Sequence, residues 1–485
     1  MVKIKLLFFF FIIIFSLQSC RKDDEKDANK PPETYFSLEE INLSGENRLN
    51  SIVRLTWYGK DQDGYVKEYE LSLDGENWTT TTTQDSTFRF SISAGSDTTD
   101  ILISVRAVDN EGLRDPTPDQ LKIPIKNTPP VVSFDDDLVI PDTANLVATT
   151  EWDATDVDGD ETITQVFISL NGLNWYELNK SKKIISIVPV DGNATDTTAA
   201  YIYYGTDKNP ATETIPGLSM NDTNKLFIKA VDQAGTESLV DTSNTFFMKG
   251  KQHDILVVGG VSVANSTYKN IFNAINVDYD FLDFAFNNGS LQPQIWNITF
   301  RLQLSFYSKL FFYSDETLYI NPYSNVKSLI LEFAASSLQE YANSGGKYFI
   351  STSFDHNTPL DGFAGVLPIE SVSSLNYGSA RLYQDSSVVS ASNNFPDLKT
   401  SAFAIVGVGV FNIDSADTEV LYEAELSDNK RNPIGEWMDT KIVASGRRVN
   451  GNLNQVFFSI QLWEMNGDPM ALQSLFNQIL TVEFN

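Results

Sequence analysis

Cysteine, histidine and positive charge are scarce in this sequence. Its 485 residues include one cysteine and two histidines. A chain with a single cysteine forms no internal disulfide, so its domains must be stabilised by packed apolar cores. Aspartates and glutamates number 64 against 35 lysines and arginines, and the formal net charge is −29. Because so acidic a chain repels the phosphates of nucleic acids, we expect no nucleic-acid partner.

The single cysteine, Cys20, directly follows an apolar run. Residues 1–5 are a short basic start, and residues 6–17 are apolar. This run is shorter than the roughly 20 residues of a membrane-spanning helix. Leu17-Gln-Ser-Cys20 resembles the lipobox of bacterial lipoproteins, whose cysteine is acylated and becomes the mature N-terminus. The resemblance implies a signal peptide over residues 1–19 and a palmitate-type lipid anchor on Cys20; the alternative is an ordinary signal peptide with an incidental cysteine.

Charged residues follow the cysteine. Lys22-Asp23-Asp24 resembles the signal that sends lipoproteins of the Bacteroidetes type to the outer face of the outer membrane. The resemblance implies a protein lipid-anchored in the outer membrane of a Gram-negative bacterium and displayed at the cell surface. The alternative is a solvated charged linker, and residues 20–31 are expected to form a flexible tether in either case.

Two copies of one module follow, at residues 32–126 and 127–249. Three blocks recur in the same order: 57–64 with 152–159, 72–78 with 169–175, and 106–112 with 229–235. The second copy carries an insertion at residues 184–204 and 209–218. Three matching blocks in one order indicate that both copies have the same fold.

Apolar residues alternate with polar ones in both copies, as at Val53, Leu55 and Trp57. This alternation, with short strands and turn residues over about 100 positions, predicts a β-sandwich in each copy. The tryptophan strand, the Asp-x-Asp-Gly turn, the Ser-Leu-Asp-Gly hairpin and the late Ala-Val-Asp strand end resemble fibronectin type III and related immunoglobulin-like modules. Such modules have many roles, so the resemblance implies a fold and leaves the function open.

Aspartates in the repeated blocks are candidate calcium ligands. The strand that contains Trp57 and the strand that contains Val105 are expected to end at the same pole of the sandwich. The candidates at this pole are Asp61, Asp63 and Asp109 in the first copy and Asp156, Asp158 and Asp232 in the second. Carboxylate oxygens suit calcium, but aspartates before glycine also cap turns by accepting hydrogen bonds from nearby amides. Beyond this structural calcium we expect no cofactor.

The apolar pattern changes at residue 250. Continuous apolar runs such as 255–258 alternate with helical periodicity at 266–275 and 326–341. The alternation predicts an α/β domain with a mostly parallel sheet over residues 250–485. Residues 255–258, 343–350 and 457–460 resemble the flavodoxin-like sheet of class I glutamine amidotransferase-like domains. Active members need a nucleophilic cysteine, which this segment lacks, so the amidotransferase chemistry is not expected.

A serine provides an alternative nucleophile. Gly260-Val-Ser262-Val-Ala264 nearly matches the Gly-x-Ser-x-Gly elbow of α/β hydrolases. The base would have to be His356, with Asp355 or Asp361 to orient it, because His253 precedes the same strand at its far end. A hydrolase that uses Ser262 and His356 is therefore the alternative function.

The predicted protein is multidomain, with two all-β sandwiches followed by an α/β domain. We expect a non-enzymatic binding or scaffold protein whose lipid anchors it to the membrane. Its other partner would be an extracellular glycan, a protein or an envelope component, and the sequence does not distinguish among them.

Overall fold

The computed structural model describes residues 28–38, 43–45, 48–354, 363, 365–372, 380–384, 386–414, 416–428 and 434–485. The predicted leader and the residues Cys20, Lys22, Asp23 and Asp24 lie outside these ranges. The chain is mostly β and divides into two compact units. Unit 1 comprises the residues up to Pro130 with Thr155–Thr164 and Val231–Glu237; unit 2 comprises Val131–Ala154, Gln165–Ala230 and Ser238–Asn485.

The first module, within unit 1, is a sandwich of two sheets. Its strands are β1 (Glu33–Leu38), β2 (Leu43–Gly45), β3 (Arg48–Leu49), β4 (Ile52–Lys60), β5 (Val66–Ser72), β6 (Thr79–Thr81), β7 (Asp85–Arg89), β8 (Thr98–Asp109) and β9 (Asp119–Lys126). One sheet has the order β1-β4-β7 and the other the order β2-β3-β9-β8-β5-β6. The alternating residues Leu55, Trp57, Ile103 and Val105 are buried in the core. The predicted β-sandwich is confirmed for this module.

Glu70, on β5, is a buried charge of unit 1. It is 6% exposed and accepts hydrogen bonds from Arg106 Nε at 2.7 Å and Arg114 Nη2 at 2.9 Å. The Arg106 guanidinium also lies over the ring of Trp78, 3.9 Å from the centroid. Burial raises the pKa of Glu70, but the hydrogen bonds and charges of Arg114 and Arg106 outweigh burial and hold the pKa below its ordinary value. The carboxylate therefore stabilises the fold in its ionised form.

Replacing Glu70 with glutamine is expected to lower the free energy of unfolding by about 1–3 kcal/mol at neutral pH, because charge-assisted bonds to two arginines are lost. A depressed folded pKa gives stability that is present above the unfolded pKa and lost as pH falls through the folded pKa. The difference between native protein and Glu70→Gln should therefore shrink below about pH 4. Urea denaturation at several pH values measures this difference in the free energy of unfolding.

The control is Glu68→Gln on the same strand, because Glu68 forms a long ion pair, at 3.9 Å, with the exposed Lys67. We expect it to change the unfolding free energy by about 0.5 kcal/mol or less. Equal costs for the two variants, or a Glu70→Gln cost that is independent of pH, would contradict the assigned role of Glu70.

The second module is larger than the first. Its strands are β10 (Val131–Phe134), β11 (Thr143–Asn145), β12 (Ala148–Thr155), β13 (Ile163–Ser169), β14 (Tyr176–Leu178), β15 (Ile184–Pro189), β16 (Thr197–Tyr204), β17 (Thr214–Ser219), β18 (Thr223–Asn224), β19 (Phe227–Asp232), β20 (Asp241–Thr242) and β21 (Phe246–Lys249). The sheets have the orders β10-β12-β15-β16-β17, β14-β13-β19-β20 and β11-β21-β18. Since β15 pairs with β12 as β7 pairs with β4, residues 184–189 belong to the module itself, and the predicted insertion begins later than expected.

The remainder of unit 2 contains a nine-stranded sheet. The strands after the modules are β22 (Ile255–Gly259), β23 (Asp280–Asp283), β24 (Lys309–Ser314), β25 (Leu318–Ile320), β26 (Lys327–Leu329), β27 (Lys347–Thr352), β28 (Ser371–Val372), β29 (Ala380–Tyr383), β30 (Ser387–Ser390), β31 (Leu398–Lys399), β32 (Ala404–Val406), β33 (Phe411–Asn412), β34 (Thr418–Ala424), β35 (Ser427–Asp428), β36 (Gly435–Glu436), β37 (Ile442–Val449) and β38 (Asn452–Phe458).

The large sheet has the order β23-β22-β24-β27-β38-β37-β34-β30-β31. Its pairings are parallel from β23 to β38 and antiparallel from β38 to β31. The sheet is therefore mixed, and the predicted mostly parallel arrangement describes only its first five strands. The antiparallel half comes from residues 387–449, where sequence analysis placed no strands.

Four α-helices accompany this sheet in the described chain: α1 (Asn265–Ala274), α2 (Trp296–Leu304), α3 (Ile330–Asn343) and α4 (Pro469–Asn477). Helices α1 and α4 pack on one face of the sheet, where Phe311 and Phe349 contact Phe476 of α4. The predicted helix at 326–341 begins later, because β26 pairs with β25 before α3 starts. Among the described residues, no helix is long and apolar enough to span a bilayer.

Candidate functional site

The predicted meeting of two turns at one pole of the module is observed in unit 1. Asn110 N donates to Tyr65 O at 3.1 Å, and Asn110 Oδ1 accepts a hydrogen bond from Tyr65 N at 3.0 Å. These bonds join the turn that contains Asp61 and Asp63 to the turn that follows Asp109. The aspartates of the first copy are thus brought to one end of the sandwich.

An asparagine upstream of each copy donates to the late aspartate of that copy. Asn29 Nδ2 lies 2.6 Å from Asp109 Oδ2, and in the second copy Asn127 Nδ2 lies 2.6 Å from Asp232 Oδ2. The amide of the next residue binds the Asp-x-Asp-Gly turn: Lys30 N donates to Asp63 at 3.1 Å. Thr128 N likewise donates to Asp158, at 2.7 Å.

These donors belong to a fourth repeated block that sequence analysis missed, Asn-Lys-Pro-Pro at 29–32 and Asn-Thr-Pro-Pro at 127–130. We call it the Asn-x-Pro-Pro block. The repeated Asn-x-Pro-Pro letters could have revealed the block, but its first copy overlaps the predicted tether at residues 20–31.

In the second copy, donors from the protein already form hydrogen bonds with the carboxylates. Asp156 accepts hydrogen bonds from Asp158 N and from Thr162 Oγ1, and Asp232 Oδ1 accepts one from Thr236 N. Burial raises the pKa of Asp156, and the nearby carboxylates of Asp158 and Asp232 raise it further. This crowding is the feature that favours a cation.

Other features of the pole favour turn caps. Asp61 Oδ2 and Asp158 Oδ1 are buried without a partner, but within the described ranges no group of three or more acidic, cysteine or histidine side chains has a geometry that could hold a metal. The structure therefore supplies the six aspartates with N–H and O–H donors instead of arranging them around a shared ion. Calcium stays a prediction.

Replacing Asn127 with alanine is expected to lower the free energy of unfolding by about 1–3 kcal/mol, because Asp232, 2% exposed, would lose a donor to its carboxylate. Urea denaturation followed by circular dichroism measures this loss. Asn174→Ala, at an exposed turn position, is the matched control and should be close to neutral.

Thermal melts of the native protein with calcium and with chelator test the predicted calcium site. Since donors already occupy the Asp156 and Asp232 oxygens, millimolar calcium should not shift the melting temperature relative to chelator. A rise with calcium that disappears in Asp156→Asn would contradict the turn-cap interpretation and establish the metal site.

Ser262 lies after β22, at the start of a short 3-10 turn (Ser262–Ala264). Its side chain is exposed, and its hydroxyl has no hydrogen-bond partner among the described residues. His253 precedes β22 and is thus at the opposite end of that strand, as expected. His356, Asp355 and Asp361 lie outside the described residues, so the Ser262–His356 pair stays a prediction.

Close packing explains the two glycines before Ser262. A Cβ atom on Gly260 would lie 2.8 Å from Tyr313 O, and one on Gly259 would lie 2.7 Å from Tyr313 Oη. Both distances are shorter than van der Waals contact. The glycines therefore allow the chain to pass beside β24, and this packing is sufficient to explain both of them.

Sequence analysis missed a cavity of about 700 Å³ in unit 2. One wall comes from residues 138–149 of the second module together with Lys249, and the other comes from residues 281–303 with Pro322. It borders the C-terminal end of β23, the edge strand of the large sheet. The carboxyl edge of a sheet is where ligands of α/β domains bind, but this part of the edge is distinct from Ser262, which does not line the cavity.

A glutamine on α2 supplies the unusual polar group of the cavity wall. Gln303 is 6% exposed; its Nε2 donates to Asn145 O at 3.0 Å, and its Oε1 is buried without a partner. Nearby, Thr299 Oγ1 and Thr149 Oγ1 lie 2.8 Å apart across the two walls. The walls are therefore joined by hydrogen bonds that leave one acceptor free.

The turn Phe286–Gly289 shapes the rim of the cavity. Asn287, Asn288 and Gly289 have φ values of 45°, 57° and 89°, so three consecutive residues are left-handed. Asparagine and glycine tolerate this conformation best. The turn places Ser290 and Leu291 on the rim, and Leu291 stays 53% exposed.

No family model matches the chain, and no curated protein matches it. Solved structures with local similarity include the PKD1 domain of the metalloprotease PrtV from Vibrio cholerae, with 17% identity over 20% of this chain and 99% of that domain, at a TM-score of 0.15. The fibronectin(III)-like modules of CbhA from Clostridium thermocellum share 14% identity over 44% of this chain and 94% of theirs (TM-score 0.16).

A segment of two fibronectin type III domains from chicken tenascin shares 13% identity over 45% of this chain and 99% of the segment (TM-score 0.22). All these similarities agree with fibronectin type III-like β-sandwich content. With identities and TM-scores this low, they carry no argument about function.

Proposed function

We propose that this protein is a non-enzymatic binding lipoprotein of the bacterial envelope, anchored in the outer membrane through Cys20 and displayed at the cell surface. One observation carries the binding role: unit 2 contains a cavity of about 700 Å³ that is lined by apolar and neutral polar side chains from two segments of the chain. A preformed cavity with a few directed polar groups is the usual form of a small-molecule site.

The lipobox-like Leu17-Gln-Ser-Cys20 and the following Lys22-Asp23-Asp24 support the proposed location. The high acidic content suits a soluble, extracytoplasmic surface. The five parallel strands with flanking helices support assigning the C-terminal segment to the amidotransferase-like class, without its cysteine. Under this proposal the β-sandwich modules follow the tether, and the C-terminal domain contributes a wall of the binding cavity.

The alternative is hydrolysis through Ser262. The location of Ser262 after the parallel strand β22 favours a hydrolase, since the nucleophile of α/β hydrolases lies at the carboxyl edge of the sheet. The scarcity of histidine disfavours it, because a serine nucleophile needs an adjacent base and His356 is the candidate base that the sequence offers.

Surface display is tested by protease shaving of intact cells. The native protein should be digested, whereas a variant with alanine at positions 22, 23 and 24 should be protected, because the lipid would remain while the export signal is lost. The Cys20→Ala variant should be absent from the membrane fraction, because it has no residue to carry the lipid. Protection of the native protein in cells whose outer membrane is intact would exclude surface display and indicate a periplasmic location.

Enzymatic activity is tested with Ser262→Ala and His356→Ala. We expect both variants to match the native protein in assays with generic esterase and amidase substrates, with no activity above background. An activity of the native protein that falls about 1,000-fold or more in each variant would support the hydrolase instead.

A further inference from the structure

Strand β23 has one free edge, which borders the cavity of about 700 Å³ in unit 2. We propose that this edge accepts an extended peptide segment of a partner protein as an additional strand of the large sheet; this rests on the proposed binding function and names its ligand class. β23 is the outer strand of the sheet and pairs with β22 alone. Its residues 281–283 and the following Phe284 line the cavity. A peptide that paired with β23 would therefore lie along the cavity.

Alternate residues of β23 direct their main-chain groups away from β22. Phe284 N donates to Gly259 O at 2.8 Å. In a parallel ladder with this register, the main-chain groups of Leu282 face β22, and those of Phe281 and Asp283 face the free edge. Among the described residues, no hydrogen bond engages these outward N–H and C=O groups. An edge with unpaired main-chain groups is a template for another strand.

A second, smaller cavity flanks the same edge. Its volume is about 260 Å³, and residues of α1 form one of its walls. Most of its lining is aromatic: Tyr268, Phe272, Tyr279, Phe281 and Tyr313. Because Phe281 lines both cavities, β23 runs between them. We call the smaller one the aromatic cavity.

The two cavities lie on opposite faces of the sheet. Asp283 accepts a hydrogen bond from Asn265 Nδ2 of α1 at 2.8 Å, and Phe281 packs against the core on that face. The ring of Phe284 instead contacts Trp296 of α2, with 5.0 Å between the ring centroids. Since successive side chains of a strand point to opposite faces, an added peptide would direct alternate side chains toward the two cavities. Such pockets for alternate side chains give strand addition its sequence specificity.

The linings indicate which peptide fits. The rings of the aromatic cavity suit an aromatic or aliphatic side chain. Leu138 and Ile140 supply apolar contact in the larger cavity, across from β23. The net charge of −29 disfavours an acidic peptide. A small molecule could occupy one cavity, but it has no main chain to pair with the strand edge. We therefore expect a neutral or basic segment with apolar residues at every second position.

The first experiment selects peptides of about ten residues from a random phage-displayed library on the mature chain. We expect the enriched peptides to carry apolar residues at alternate positions. An enriched peptide is then synthesised with one N-methyl group at each position in turn, which removes one main-chain donor at a time. Titration calorimetry should show binding weakened about tenfold or more at every second position, and within about twofold of the parent peptide at the positions between.

Two variants locate the bound peptide. Ser290→Trp should fill the larger cavity from its rim, and Ser266→Trp should fill the aromatic cavity; both serines are exposed. Each variant should bind the enriched peptide about tenfold more weakly or worse. Ser344→Trp is the matched control, because Ser344 is an exposed serine that lines neither cavity. Its affinity should stay within about twofold of that of the native protein.

Three outcomes would overturn strand addition: no enriched peptide, N-methyl effects without a period of two, or binding unchanged in Ser290→Trp or in Ser266→Trp. A small neutral molecule that binds the larger cavity when no peptide does would also overturn it, while leaving the binding function intact. Protease shaving reports on anchoring alone, so its failure is separate from failure of the strand edge.

Discussion

The hydrogen bond from an upstream asparagine to a buried aspartate is the constraint on which each β module depends. Asp109 and Asp232 are almost fully buried, each as the last residue of its strand, and a carboxylate in that position needs donors. The turn that follows supplies backbone amides, and Asn29 or Asn127 supplies the rest. Since the two prolines after the asparagine restrict the backbone, the first strand of the sandwich begins in a defined direction. In a chain without disulfides, this hydrogen bond holds the start of each module to its late strand.

Local patterns predicted most of the module, and the reason is that its interactions are short-range or repeated. The Ser-Leu-Asp-Gly hairpin is an example: Ser72 Oγ accepts a hydrogen bond from Gly75 N, and Ser169 Oγ accepts one from Gly172 N, with both glycines at positive φ. The tryptophans after these hairpins, Trp78 and Trp175, are half-buried beneath Arg106 and Lys229. Arg106 and Lys229 are the first residues of the third repeated block in their copies. The contact between cation and tryptophan therefore joins the second repeated block to the third in both copies.

The large sheet was predicted less well, because its two halves are specified differently. Strands β22, β24 and β27 are buried on both faces and read as continuous apolar runs, which identify parallel strands directly. Strands β30, β31 and β34 pair across segments with weak alternation, and their pairing depends on tertiary packing around Tyr422 and Phe458. Sequence periodicity does not report such packing, so the antiparallel half was not predicted. The same limit applies to the cavity, whose walls lie more than a hundred residues apart in the sequence.

The pole and the cavity wall both contain buried polar atoms without a partner, on side chains that are hydrogen-bonded at another atom. At the pole, each carboxylate receives at least one donor, from three separate chain segments, because a buried charge with no donor would cost more than a module of this size can tolerate. In the cavity wall, a neutral amide oxygen is left without a partner, and the cost is smaller because the atom carries no charge. Gln303 is held in place by its other end, at Asn145 O, and its oxygen is enclosed by the protein, so neither water nor a ligand in the cavity reaches it. The lost hydrogen bond must therefore be offset by the packing around helix α2 and not by a ligand. The buried carboxylates of the pole, which are charged, are the larger of the two constraints on folding.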